Sequence, residues 1–197
     1  MIVMNLINEA NELFLKKKFY DAIAKYEIIL ESQPNNLIAL NNKGYSFSKL
    51  RNYSKALTCY NECLEKNPRD KTVLINKISL FRKIGEFDKA LEICENLLKN
   101  NSNEMIVLYH KLRILKKLDR FSESNIICKE LLNIYPDNGD VLYDMASNFL
   151  KMGDDEKFLV TLEKAVNIIP NLKRKSKNNK EFKQFRNDER FLKIILE

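Results

Sequence analysis

Hydrophobic residues return along this chain every 34 residues. Within each period, a first set of apolar positions is spaced i, i+4 and i+7, which places them on one face of a helix. A second set at helical spacing follows an aromatic and a small residue. Self-similarity of this period indicates stacked supersecondary units that share one core, here with two amphipathic helices per repeat. The first helices carry a leucine column, Leu6, Leu40, Leu74, Leu108 and Leu142.

The second repeat carries the residues of a known pattern, which are Leu40, Gly44, Phe47, Tyr53, Ala56, Tyr60 and Pro68. This stretch resembles the tetratricopeptide-repeat (TPR) family. The resemblance covers residues 3–170 in five repeats, 3–36, 37–70, 71–104, 105–138 and 139–171. It implies an all-α fold, a right-handed TPR superhelix (α-solenoid) of five helix-turn-helix units plus a C-terminal capping helix.

Two places depart from the repeat pattern. Ser102 replaces the proline that follows the second helix in the other repeats, so we expect a looser turn there. Repeat 5 has Asp155 in place of the aromatic residue and Phe158 in place of the small one. An altered last repeat is expected, because its outer face meets something other than another repeat.

The last part of the chain is basic. Residues 171–197 hold nine Lys and Arg against four Asp and Glu, within a chain of net charge +7. Residues 172–180 are predicted to be a basic, solvated linker, since Lys173 to Lys180 contains no apolar residue. Apolar residues return at helical spacing over 181–197, which predicts a helix that caps repeat 5. The alternative is a basic tail that binds nucleic acid or an anionic surface.

Residues with catalytic or metal-binding chemistry are sparse. Cys63, Cys94 and Cys128 occupy core columns, and Cys59 lies one turn before Cys63, so we expect small buried hydrophobes and no metal site. The single histidine, His110, has no nucleophile in register, and the four glycines form no phosphate-binding loop. The sequence therefore predicts no enzyme, no cofactor and no small-molecule substrate.

The family resemblance implies that the free face of each first helix lines a concave groove. A row of asparagines on this face can hold the backbone of an extended peptide, because a carboxamide both donates and accepts hydrogen bonds. A row of lysines adds positive potential for an acidic segment. The alternative is that these are solvated faces of a chain rich in Asn and Lys. The candidate peptide-binding residues are Asn8, Asn11, Asn42, Tyr45, Asn76, Lys49, Lys83, His110, Arg113 and Lys117.

One ligand of the family can be tested residue by residue. TPR co-chaperones hold the C-terminal carboxylate of heat-shock chaperones with three cations and two asparagines from three consecutive repeats. Read from repeat 1, the matching positions lack all three cations, so this ligand is not expected; they are Ile7, Asn11, Asn42, Thr72 and Asn76.

The predicted function is a non-enzymatic protein-interaction module that binds an extended, possibly acidic peptide segment of another protein in the groove. The alternatives to this function are binding of nucleic acid or an anionic surface by the basic tail, and a self-associating scaffold. The sequence begins without a basic leader, and no apolar stretch approaches the roughly 20 residues of a membrane span. A cytoplasmic location is therefore expected.

Overall fold

The computed structural model describes residues 2–100 and 104–196, with the side chains of residues 2–4 and 100 outside the description. Ser102 and the turn predicted around it lie outside the described residues. Throughout the described ranges, every regular element is helical. The chain forms two compact units, an N-terminal unit, Met1–Ser102, and a C-terminal unit, Asn103–Glu197.

The N-terminal unit consists of three helix pairs. Consecutive helices pack against one another, and the first helix of each pair also contacts the first helix of the next pair. Each pair buries the apolar faces that the 34-residue pattern predicts, with Ala22 and Tyr26 at the core of the first pair and Ala56 and Tyr60 at that of the second. The helices are α1 (Ile2–Leu15), α2 (Phe19–Ser32), α3 (Leu37–Lys49), α4 (Tyr53–Lys66), α5 (Lys71–Ile84) and α6 (Phe87–Asn100).

The C-terminal unit begins with two further helix pairs, and the second helix of the first pair packs on the first helix of the second pair. Three short elements follow and pack against the last of these four helices and against each other. Consecutive packed helix pairs in both units confirm the predicted all-α TPR-type fold. The elements are α7 (Met105–Lys117), α8 (Phe121–Ile134), α9 (Gly139–Lys151), α10 (Asp155–Ile168), α11 (Asn171–Asn178), a 3₁₀ helix (Lys180–Phe185) and α12 (Glu189–Leu196).

Several of the helices begin where a short polar side chain caps the first free backbone N–H groups. Asn36 accepts from the N–H of Ala39 at 3.0 Å, and Asp70 accepts from the N–H of Val73 at 3.1 Å. Such caps stabilise a helix by about 1 kcal/mol. Asn52, Asn138, Asp154 and Asp188 cap α4, α9, α10 and α12 in the same way.

Helices α3 and α4 cross closely where the repeat pattern places small residues. A Cβ added to Gly44 would lie 2.8 Å from Cε1 of Tyr60 and 2.9 Å from Cβ of Cys59. These separations are shorter than a van der Waals contact, so α3 approaches α4 only because position 44 has no side chain.

The turns within the repeats share one backbone feature that the sequence analysis did not single out. The fifteenth position of every repeat has a positive φ, at Lys17 (59°), Arg51 (62°), Gly85 (82°), Asp119 (55°) and Gly153 (77°). Glycine adopts this conformation without strain, whereas a side chain in it is disfavoured by roughly 1–2 kcal/mol. The two glycines are therefore turn residues, and three repeats tolerate a strained residue there.

We expect Arg51→Gly to raise the free energy of unfolding by about 0.5–1 kcal/mol, since relief of the left-handed strain exceeds the extra flexibility of glycine in the unfolded chain. The opposite change at the same position of the next repeat, Gly85→Ala, is expected to lower it by about 1 kcal/mol. Chemical denaturation followed by circular dichroism measures both variants. A less stable Arg51→Gly protein would show that the turn is not strained.

The prediction of a solvated linker over residues 172–180 is wrong. Residues Asn171–Asn178 form helix α11, in which Leu172 and Ser176 are buried. The hydroxyl of Ser176 donates to the carbonyl oxygen of Leu172 at 2.7 Å, and Nζ of Lys175 lies 4.3 Å from the ring centroid of Tyr143. The buried leucine and the lysine stacked on an aromatic ring attach α11 to the rest of the C-terminal unit, although α11 carries almost no apolar side chains.

The predicted capping helix over residues 181–197 is divided into the 3₁₀ helix and α12, and Asp188 begins the second part. The phenylalanines of these elements surround Phe158 of α10. The ring centroid of Phe158 lies 4.8 Å from those of Phe182 and Phe185, and 6.3 Å from that of Phe191. The unusual residue of repeat 5 is thus the one on which the C-terminal segment packs.

Candidate functional site

Seven of the predicted site residues lie on the three first helices of the N-terminal unit. We call this set the first-helix stripe. Its members at the ends, Asn8, Lys49 and Lys83, are exposed, whereas Asn11, Asn42, Tyr45 and Asn76 are half-buried. Because α1, α3 and α5 contact each other, the stripe crosses three helices.

The asparagines of the stripe bind one another. Nδ2 of Asn42 donates to Oδ1 of Asn11 at 3.2 Å, and Nδ2 of Asn76 donates to Oδ1 of Asn41 at 2.9 Å. Asn41 in turn donates to Asn42, and the hydroxyl of Tyr26 donates to Oδ1 of Asn11 at 2.9 Å. Each amide nitrogen carries two protons, and these bonds use one proton of Asn42 and one of Asn76. These asparagines therefore join neighbouring helices.

Tyr45 of the first-helix stripe contacts both an aromatic ring and a lysine. Its ring centroid lies 5.1 Å from that of Phe14, and Nζ of Lys49 lies 4.9 Å from the same tyrosine ring. Two aliphatic residues of the first helices, Leu15 and Ile38, are 76% and 63% exposed. The N-terminal part of this surface thus combines apolar contacts with an exposed cation.

Lys83 lies at the other end of the stripe, on α5. Its Nζ donates to the hydroxyl of Ser48 on α3 at 2.9 Å. Partial desolvation of its ammonium group by neighbouring protein atoms and, second, the charge of Lys49 lower the pKa of Lys83 below the usual value for lysine, although the residue as a whole is exposed. Lys49 and Lys83 thus form a region of positive potential in which the two charges disfavour each other.

The other three predicted residues lie on α7 of the C-terminal unit, where Arg113 and Lys117 are exposed and His110 is half-buried. The neighbouring Lys116 is paired with Asp144 of α9 at 2.5 Å. Ser147, Lys151 and Glu181 are not among the predicted site residues. The hydroxyl of Ser147 donates to Oε2 of Glu181 at 3.1 Å, and Nζ of Lys151 lies 3.3 Å from Oε1 of the same carboxylate. Glu181 follows Ser147 by one 34-residue period, which is the signal in the sequence that relates the two positions.

Residues 38–70 match the model of the tetratricopeptide-repeat family. The chain contains a tetratricopeptide repeat. A TPR protein from Parabacteroides merdae has the same fold, with a TM-score of 0.81 at 18% identity over 98% of this chain and 73% of that one. MamA from Desulfovibrio magneticus gives 0.78 at 12% identity, over 90% of this chain and 97% of its own.

YrrB, described as a TPR protein with an unusual peptide-binding site, gives a TM-score of 0.70 at 20% identity, over 84% of this chain and 85% of its own. At these identities the likeness is one of fold. None of the curated proteins compared with this TPR chain matches it by sequence.

The cysteines of the TPR protein, Cys59, Cys63, Cys94 and Cys128, are all buried. Burial raises the pKa of Cys59 to about 11, and that of Cys63 and Cys128 to about 12. Such thiols stay protonated at neutral pH and are weak nucleophiles and metal ligands. In the part of the chain that the structure describes, no group of three or more His, Cys, Asp or Glu side chains could hold a metal ion. Within the same ranges no helix has the length and apolar character to cross a bilayer.

Proposed function

We propose that this TPR protein is a non-enzymatic interaction module that binds an extended peptide segment of a partner protein along the first-helix stripe. The observation that carries the proposal is the stripe itself, in which amides, a tyrosine and two lysines lie on three adjacent helices of one unit. TPR proteins present such faces to ligands, and the fold neighbour YrrB has a peptide-binding site. His110, Arg113 and Lys117 lie on the equivalent helix α7 of the C-terminal unit, which is a separate candidate face.

Each kind of side chain has a separate role in this proposal. The remaining amide protons of Asn42 and Asn76, and the exposed amide of Asn8, hold the peptide backbone independently of its sequence. Tyr45 supplies a large contact area at low entropy cost, and Leu15 and Ile38 extend it. Lys49 and Lys83 favour an acidic segment and accelerate its association.

The basic C-terminal segment is a weaker candidate for ligand binding. Its phenylalanines, Phe182, Phe185 and Phe191, are buried in the core of the C-terminal unit. Two of its cations are engaged within the chain, Lys175 with Tyr143 and Arg190 with Glu156. Proteins that bind single-stranded nucleic acid commonly stack its bases on aromatic side chains, and these three rings are used for packing.

The proposal is tested with peptides selected by display of a random library against the whole chain. In titrations with a selected peptide, we expect Tyr45→Ala to weaken binding by about tenfold or more, as for a central aromatic contact. Tyr20→Ala is the matched control, because Tyr20 is 75% exposed on the second helix α2. Unchanged affinity in Tyr45→Ala, or an equal loss in Tyr20→Ala, would contradict the proposal. Sedimentation at several concentrations separates this binding from self-association.

A further inference from the structure

A cleft of about 440 Å³ lies among helices α2, α3 and α4 of the N-terminal unit. Its apolar lining includes Leu30, Leu40, Phe47 and Cys59, which come from all three helices. Leu40 and Cys59 are each 6% exposed and form the floor, whereas Leu30 and Phe47 are half-buried. Burial raises the pKa of Cys59 to about 11, so its thiol stays neutral and the floor is apolar at pH 7. The cleft therefore has the room and the surface to take an apolar side chain.

This cleft lies on the side of α3 opposite the first-helix stripe. A step of two residues along a helix turns about 200° around its axis, because one turn takes 3.6 residues. Phe47 of the cleft lies two residues after Tyr45 of the stripe. Leu40 of the cleft lies two residues before Asn42 of the stripe. The cleft and the stripe are therefore separate surfaces of the same unit.

Four charged residues line the cleft, and two of them are paired with each other. Nζ of Lys43 lies 3.0 Å from Oε1 of Glu27, so these two charges are compensated. The other two, Lys55 and Glu62, are exposed on α4. Among the described residues neither takes part in an ion pair, and Nζ of Lys55 lies 5.4 Å from the ring centroid of Phe47. The α4 wall of the cleft thus presents one cation and one anion to a ligand.

The spacing of these two charges defines the ligand that matches them. Lys55 and Glu62 are two turns apart on α4, so they lie on one face of the helix and about 10 Å apart along its axis. A peptide in the polyproline II conformation rises 3.1 Å per residue with three residues per turn. Its residues i and i+3 therefore point to the same side, about 9 Å apart, while a residue between them points elsewhere. An acidic and a basic residue at i and i+3 match the wall, and an apolar residue between them reaches the floor.

We propose that this cleft is a second peptide-binding site, which takes an apolar side chain of a partner protein between an acidic residue at Lys55 and a basic residue at Glu62. The apolar side chain is buried against Leu40 and Phe47, and the two exposed charge pairs select the sequence around it. This site goes beyond the proposed function of the first-helix stripe. When both surfaces are occupied, the N-terminal unit joins two partner proteins.

The probe is the tetrapeptide Glu-Leu-Ala-Lys with acetylated and amidated ends, and the neutral Gln-Leu-Ala-Gln with the same ends is the control compound. In the full chain with labelled methyl groups, we expect saturable changes in the NMR signals of Leu30 and Leu40 with the charged peptide. The neutral peptide is expected to bind about tenfold more weakly, as for the loss of two exposed charge pairs. Val160 of α10, which is 50% exposed, is the internal reference and is expected to stay unchanged.

A charge reversal in the cleft tests the selection directly. In Lys55→Glu the α4 wall carries two acids, so we expect this variant to prefer Lys-Leu-Ala-Lys over Glu-Leu-Ala-Lys by about tenfold, whereas the parent chain has the opposite preference. Lys164→Glu is the matched control, because Lys164 is exposed on α10 of the other unit and the net charge changes equally. We expect it to keep the preference of the parent chain.

The proposal is overturned if the signals of Leu30 and Leu40 do not move, or if Val160 responds equally. Equal binding of the neutral peptide, or a preference that Lys55→Glu and Lys164→Glu change to the same extent, also contradicts it. If the signals of Leu30 and Leu40 move with protein concentration in the absence of peptide, the cleft is assigned to a second copy of the chain instead. None of these outcomes bears on the Tyr45 test, so failures of the two sites are distinguishable.

Discussion

Replacement of Phe158 by alanine is expected to lower the free energy of unfolding by about 3–5 kcal/mol, the usual range for a buried phenylalanine. Repeats 1, 2 and 3 have alanine at the equivalent position, at Ala22, Ala56 and Ala90, so the change restores the repeat pattern and yet destabilises the protein. The reason is that Phe158 is fully buried and its ring packs on those of Phe182 and Phe185 at 4.8 Å.

Chemical denaturation of Phe158→Ala measures this effect. Val160→Ala is the matched control, since Val160 lies on the same helix α10 and is 50% exposed, and we expect a much smaller loss there. If Phe158→Ala were no less stable than Val160→Ala, the aromatic cluster would not hold the C-terminal segment.

Deletion of residues 171–197 is expected to have a comparably large effect. The deletion removes Leu172, Phe182, Phe185, Phe191 and Ile195 from the core of the C-terminal unit and exposes the apolar face of α10. Exposed apolar patches of this kind promote association, so we expect a lower melting temperature and concentration-dependent aggregation. Sedimentation and thermal melting of the truncated chain measure both.

Combining the deletion with Phe158→Ala tests whether the effect of the deletion comes from the lost aromatic packing. In the truncated chain, Phe158→Ala is expected to cost much less than in the full chain, because the ring partners of Phe158 are already absent. A truncated protein that stays monomeric with an unchanged melting temperature would mean that the segment does not act as a cap and is available for a partner.

The helix pairs were predictable because their signal is repeated. A leucine column and a small-residue column at a fixed period specify which helix faces are buried, and repetition separates this signal from chance. The C-terminal segment has no repeat to reinforce it. Helix α11 depends on the burial of Leu172 and on Lys175 stacked over Tyr143, a contact between residues 32 positions apart. The composition of residues 172–180 favoured a linker, because composition carries no information about contacts with residues distant in the sequence.

The site was predicted at the level of positions and not of contacts. Helical spacing places Asn42 and Asn76 on the same faces of their helices, but their hydrogen-bond partners depend on the distance between α1, α3 and α5. The bonds to Asn11 and Asn41 are therefore a property of the packed unit. The 34-residue register relates Glu181 to Ser147, although the sequence does not show that the 3₁₀ helix brings this side chain back to α9.

The aromatic packing around Phe158 limits how the length of this array can change by gene duplication. A copy of repeat 1, 2 or 3, which has alanine at the equivalent position, would separate Phe158 from Phe182, Phe185 and Phe191 if it were inserted after residue 170, and the new end would lack their ring partner. An insertion ahead of repeat 5 keeps these rings together. Repeat 5 and the segment after it therefore constitute one heritable module, and longer or shorter descendants of this gene are expected to differ in the number of repeats that precede it.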